Sequence, residues 1–117
     1  MTDLEITRAC GAARGLREIP YRAGQPYAQH PESALRMAEG RKATHWYDPL
    51  HDDAQMAGLV KEFHLALRPS MITEGWPWTC AYWLGDPRLE ISTINGDLNR
   101  AVCTCVAKMW LAKQEAK

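Results

Sequence analysis

The sequence predicts an α+β domain, with three helices packed on a mostly antiparallel sheet of three to five strands. Two observations carry this. Apolar residues recur at helical spacing in three separated stretches, and between the second and third of these they alternate with period two in a segment that can fold back on itself. The length supports it: 117 residues make one domain, 1–117, since typical domains run about 100–150 residues.

Thr2 and Glu5 form a capping box, and Leu4, Ile6, Ala9, Cys10 and Ala13 follow at helical spacing, so a helix is expected at 3–14 with Gly15 ending it. Leu16 to Tyr21 alternates weakly and reads as a short strand. Gly24, Pro26, Pro31 and Gly40 break any period across 22–44, an irregular, insertion-like segment. Within it, the good helix formers from Pro31 to Ala38 suggest a short helix. His45, Trp46 and Tyr47 favour a strand that ends at Asp48-Pro49.

Asp52 and Gln55 make a second capping box. Met56, Leu59, Val60 and Phe63 then fall at i, i+3, i+4 and i+7, so a helix is expected at 52–64, with His64 reaching its last carbonyls. Leu65 and Leu67 suit a short strand before Pro69. From Trp76 to Leu84 the even positions are all apolar, and Leu89, Ile91 and Thr93 alternate on the return after Gly85-Asp86-Pro87-Arg88. Pairing Leu84 with Leu89, Tyr82 with Ile91 and Cys80 with Thr93 keeps one face apolar, as an antiparallel hairpin requires. The other face carries Trp83 beside Glu90 and Ala81 beside Ser92. Finally Leu98, Ala101, Val102, Cys105, Val106, Met109 and Ala112 define a third helix, capped by Asn95 or Asp97, with Lys108, Lys113 and Lys117 near its negative end.

The 14 basic and 14 acidic residues balance, which argues against a phosphate-directed nucleic-acid binder, since such affinity rests on a basic excess. No apolar run is long enough for a membrane span and the N-terminus lacks the order of a signal peptide, so the protein is expected in the cytoplasm with Cys10, Cys80, Cys103 and Cys105 as reduced thiols. Cys103 and Cys105 point about 200° apart on a helix and cannot chelate one ion; buried small hydrophobes is the plainer reading.

Three segments also carry a resemblance: Met1 to Cys10 (MTDLEITRAC), Tyr47 to Met56 (YDPLHDDAQM) and Asp97 to Met109 (DLNRAVCTCVAKM). They are similar to small phage and prophage proteins of the phage ABA sandwich domain family. The resemblance implies an alpha-beta-alpha sandwich-like fold and an accessory protein of phage or prophage origin. It gives no residue a catalytic role, and it leaves out 22–44 and much of 65–94.

The densest group of chemically able side chains is His45, Asp48, His51, Asp52 and Asp53, enough for a metal or an acid–base pair. Yet Asp52 serves as a cap, Asp48 as a turn residue, and no two histidines share a helix face. No nucleophile or phosphate-loop motif occurs, so no catalytic residue, metal ligand or cofactor is assigned. The five tryptophans set against one Phe are the better lead. Trp46, Trp76 and Trp78 read as core, whereas Trp83 and Trp110 fall off the main apolar face of their elements. They mark a partner surface unless the chain's own helices cover them. The leading expectation is therefore a small non-enzymatic interaction module that binds an unknown protein partner or forms a homodimer. Alternatives are a small enzyme using the His45 to Asp53 group, and a weak nucleic-acid binder using Arg36, Arg41, Lys42 and the hairpin aromatics.

Overall fold

A computed structural model of the chain describes residues 1–19, 34–41, 45–69, 77–84 and 89–115. Nine elements occur in the order α1 (Asp3–Ala13), β1 (Arg17–Glu18), β2 (Leu35–Ala38), β3 (His45–Tyr47), α2 (Asp53–Phe63), β4 (Ala66–Pro69), β5 (Trp78–Leu84), β6 (Leu89–Asn95) and α3 (Leu98–Glu115). This is the α+β class the periodicities predict, with three helices packed on antiparallel strands. The strands, however, divide into two sheets, β1-β2-β3 and β4-β5-β6, where one sheet of three to five was expected. Alternation within a strand reveals that it pairs but not which sheet it joins, because the connections between sheets leave no periodic signal.

The two sheets pack on different helices. α1 touches β1 and β2, α3 touches β5 and β6, α1 and α3 pack along each other, and α2 packs on α3. α1 approaches the first sheet closely at Gly11, where an added Cβ would lie 2.5 Å from Met37 Cε and 3.7 Å from Tyr47 Cδ2. Both of those side chains are fully buried, so glycine is what lets helix and sheet close up. The core continues through Ile6, Leu35, Leu59, Val102, Val106 and Met109.

The helix boundaries follow the predicted caps. Glu5 N–H donates to Thr2 Oγ1 at 3.2 Å, and Thr2 Oγ1 donates back to Glu5 Oε1 at 3.1 Å. Gly15 ends α1 with φ +78°, while Leu16 N–H returns to Gly11 O at 2.9 Å, the left-handed termination that glycine makes inexpensive. α2 ends on His64 at φ 51°, and it is the backbone N–H of His64 that bonds Val60 O. Of the two caps suggested for α3, Asp97 is the one used: its Oδ1 accepts from Asn99 N–H at 3.0 Å and Arg100 N–H at 3.3 Å.

The hairpin register is the predicted one, Leu84 opposite Leu89, Tyr82 opposite Ile91, Cys80 opposite Thr93 and Trp83 opposite Glu90. Cys80 and Thr93 are buried and Ile94 is exposed, as period two demands, although Ala81 on the other face is buried as well. The expected helix at 31–38 is not formed over its described part. Leu35, Arg36 and Met37 instead pair with Tyr47, Trp46 and His45. Leu35 and Met37 are buried while Arg36 stacks over the Trp46 ring at 5.9 Å. Strand pairing against a buried Tyr47 thus outweighs a helix propensity worth only tenths of a kcal/mol per residue (about 0.5). The rest of the 22–44 segment, 22–33 and 42–44, lies outside the described residues.

Candidate functional site

Two regions answer to the residues singled out in the sequence. The first is the segment 45–53. Asp48 Oδ2 holds the His51 ring at Nδ1, 3.0 Å away, with the Asp48 side chain 12% exposed and that of His51 56% exposed. Asp48 O accepts from the backbone N–H of both His51 and Asp52, at 3.0 and 2.8 Å. Asp52 Oδ1 caps α2 by accepting from Gln55 N–H at 2.9 Å. Asp53 Oδ1 accepts from Asn99 Nδ2 at 3.1 Å, and the same amide nitrogen donates to Pro49 O at 3.1 Å.

The second capping box is only half formed. Because Asp52 N–H is already taken by Asp48 O, the Gln55 side chain turns elsewhere. Its Oε1 accepts from Asp48 N–H at 2.6 Å and its Nε2 donates to Trp46 O at 2.8 Å. Gln55 thereby ties β3, the following turn and α2 together. Sequence reasoning missed this double contact, and the short Asp-Pro turn before the cap is the signal that could have shown it.

These side chains do not converge. Among the described residues no three of His, Cys, Asp or Glu are placed to hold a metal ion. The side chain of His45 lies outside the described part. What remains with chemical capacity is the Asp48–His51 contact, in which a carboxylate fixes the orientation of an exposed imidazole, the arrangement that prepares a histidine for proton transfer.

The second region is the seam where α1 meets α3. Met1, Glu5, Arg8, Ala9, Ala12, Trp110 and Leu111 line a groove of about 400 Å³. Ala9 and Ala12 are the small residues of its lining. Trp110 is half-buried and packs on the core from one side, while Leu111 is 44% exposed and Met1 54%. Arg8 is engaged by Glu18, at 2.8 and 3.2 Å, which anchors the groove rim to β1. Arg100 Nη2 donates to Asp3 Oδ1 at 2.9 Å and fixes the start of α3 against the start of α1. Met1 and Leu111 were not singled out in the sequence. Leu111 sits next to Trp110, off the main stripe of α3, and that adjacency was the available clue.

The other tryptophans sort differently. Trp46 carries Arg36 on its face, Trp78 packs against the core, Trp76 lies outside the described residues, and so does the side chain of Trp83. Of the basic residues considered for nucleic acid, Arg36 is held by Trp46, Arg41 is exposed, and Lys42 lies outside the described residues. Among the described residues no helix is long and apolar enough to cross a membrane.

Burial sets the protonation of two core groups. Loss of solvent pushes the Tyr47 phenol well above its ordinary value, with the nearby Cys10 adding to the shift and Arg14 opposing it. Partial burial is the largest single influence on the Arg14 charge and works against it, but the Glu62 carboxylate, at 2.9 Å, and Tyr47 together outweigh it, and the guanidinium is held above its usual range.

No family model, no curated protein and no solved structure matches the chain.

Proposed function

We propose that the protein is a small non-enzymatic interaction module, an accessory protein of phage or prophage origin acting in the cytoplasm, and that the α1/α3 groove is its binding face. The observation that carries this reading is an apolar hollow walled by Trp110 and flanked by the exposed Leu111 and Met1. Aromatic and aliphatic anchors beside small residues are how a helical face receives a partner. The phage origin rests on the similarity of three chain segments.

The first partner to test is a second copy of the chain. One face holds both a hollow lined by Ala9 and Ala12 and an exposed Leu111 at its edge, so a twofold contact could seat each copy's Leu111 in the other's hollow. Multi-angle light scattering across a concentration series should show a dimer that dissociates on dilution. A strict monomer at the highest concentration removes the homodimer and leaves binding to another protein, which a change in this chain's tryptophan fluorescence on adding candidates would then have to report.

A second reading rests on the Asp48–His51 contact: a small metal-dependent or acid–base enzyme. A ligand that binds only the folded state raises its melting temperature. A thermal-shift series with divalent ions that stays flat sinks the metal-dependent form.

A further inference from the structure

A second cavity, which shares no lining residue with the groove, lies where α3 meets β6. It measures about 340 Å³, and its lining includes Thr93, Ile94 and Asn95 of β6 and Arg100, Thr104 and Lys108 of α3. The three α3 residues follow at intervals of four, so one side of the helix presents two cations and a hydroxyl. Among the described residues no Asp or Glu lines the cavity. In a chain whose 14 basic and 14 acidic residues cancel, this is a local excess of positive charge.

Folding uses only part of these groups. Thr93 Oγ1 donates to Ala101 O at 2.5 Å, which ties β6 to α3 beside the cavity. Asn95 accepts at Oδ1 from Asp97 N–H at 2.9 Å, and its NH2 keeps its donors. Arg100 donates from Nη2 to Asp3 Oδ1 at 2.9 Å, a contact that employs one arm of a five-donor fork. The Asp3 side chain is 44% exposed, so water screens its offset of the Arg100 charge. Lys108 is exposed and forms no ion pair with another described residue.

We propose that this cavity binds a small phosphomonoester. Such a group carries a charge of about −1.5 to −2 near neutral pH and three strong acceptor oxygens, which answers two cations better than a single carboxylate does. The Arg100 fork, the Lys108 ammonium, the Thr104 hydroxyl and the Asn95 amide are the donors that a phosphate takes. Ile94, 67% exposed, leaves apolar surface at the same cavity for the organic part of the ligand. Asp3 already holds one arm of the guanidinium, so less side-chain freedom is lost on binding. The volume falls at the lower end of the range for small-molecule sites, about 300–1,000 Å³. The site is independent of the groove and of what the groove binds.

The test titrates the full-length, nitrogen-15-labelled protein with phenyl phosphate at low ionic strength. Saturating amide shifts are expected at 93–95 and 100–108, with benzoate binding more weakly. Lys108→Gln should keep the parent's far-ultraviolet circular dichroism and weaken phenyl phosphate about tenfold, the loss of one charge-assisted hydrogen bond. Lys108→Arg should restore most of the affinity. Lys61→Gln, which removes the same charge from exposed α2 surface, should leave it unchanged. Absence of saturation at millimolar ligand, equal affinity for benzoate, or an equal loss in Lys61→Gln overturns the proposal. A single-stranded oligonucleotide that binds the same residues more tightly than phenyl phosphate also overturns it, and assigns the cavity to nucleic acid instead.

Discussion

The segment 45–53 and the α1/α3 groove are opposites. The first is crowded with imidazoles and carboxylates, but Asp48, Asp52 and Asp53 each make a contact that builds the fold: orienting a ring, capping a helix, binding Asn99. The second holds little chemistry, and its Leu111 and Met1 are left facing solvent. The difference teaches that abundance of reactive side chain types is a weak guide to a site. A site is built from groups that folding does not use up, and in the function proposed here those are the apolar ones around the groove.

The largest expected effect tests whether 45–53 is scaffold. Gln55→Ala removes the two hydrogen bonds that its side chain makes with Asp48 N–H and Trp46 O. A typical intramolecular hydrogen bond contributes about 1 kcal/mol, so urea unfolding followed by tryptophan fluorescence should show a loss of about 2 kcal/mol. A loss under about 0.5 kcal/mol, the range of an ordinary surface change, would mean that the segment carries no structural weight, and the contrast with the groove would break.

A smaller effect is expected at the cap of α2. Asp52→Ala removes the acceptor for Gln55 N–H and should lower stability by about 1 kcal/mol, whereas Asp52→Asn, which keeps an oxygen there, should lower it by much less. Equal losses in the two variants would shift the role of Asp52 from hydrogen bonding to charge.

How far the sequence speaks for itself follows the same division. Helix starts, the left-handed stop at Gly15 and the Cys80–Thr93 register were legible because each depends on residues near in sequence or on a period of two. β2 was not, because Leu35 and Met37 become a strand only by meeting Tyr47 and His45. The splitting of the strands into two sheets was hidden for the same reason, and so was the partnering of Cys10 with Cys103, 93 residues away. For the candidate site, Trp110 was legible as an aromatic off its helix stripe. The groove was not, because most of its lining comes from α1, and only the packing of α1 on α3 turns two helix surfaces into one hollow.

That packing also determines how the groove can be probed without disturbing the fold. Trp110 packs on the core, so truncating it would weaken fold and binding together. Leu111 is the cleaner probe: it is 44% exposed and forms no part of the buried cluster. In dilute solution, where the chain is monomeric, Leu111→Ser should change unfolding free energy by less than about 0.5 kcal/mol. In the light-scattering series the same variant should stay monomeric at concentrations where the parent dimerises, since a central apolar anchor removed from an interface costs about 2 kcal/mol or more. Unchanged self-association in a stable variant would move the binding face away from α1 and α3, and the groove would then stand as a surface the fold has left apolar without use.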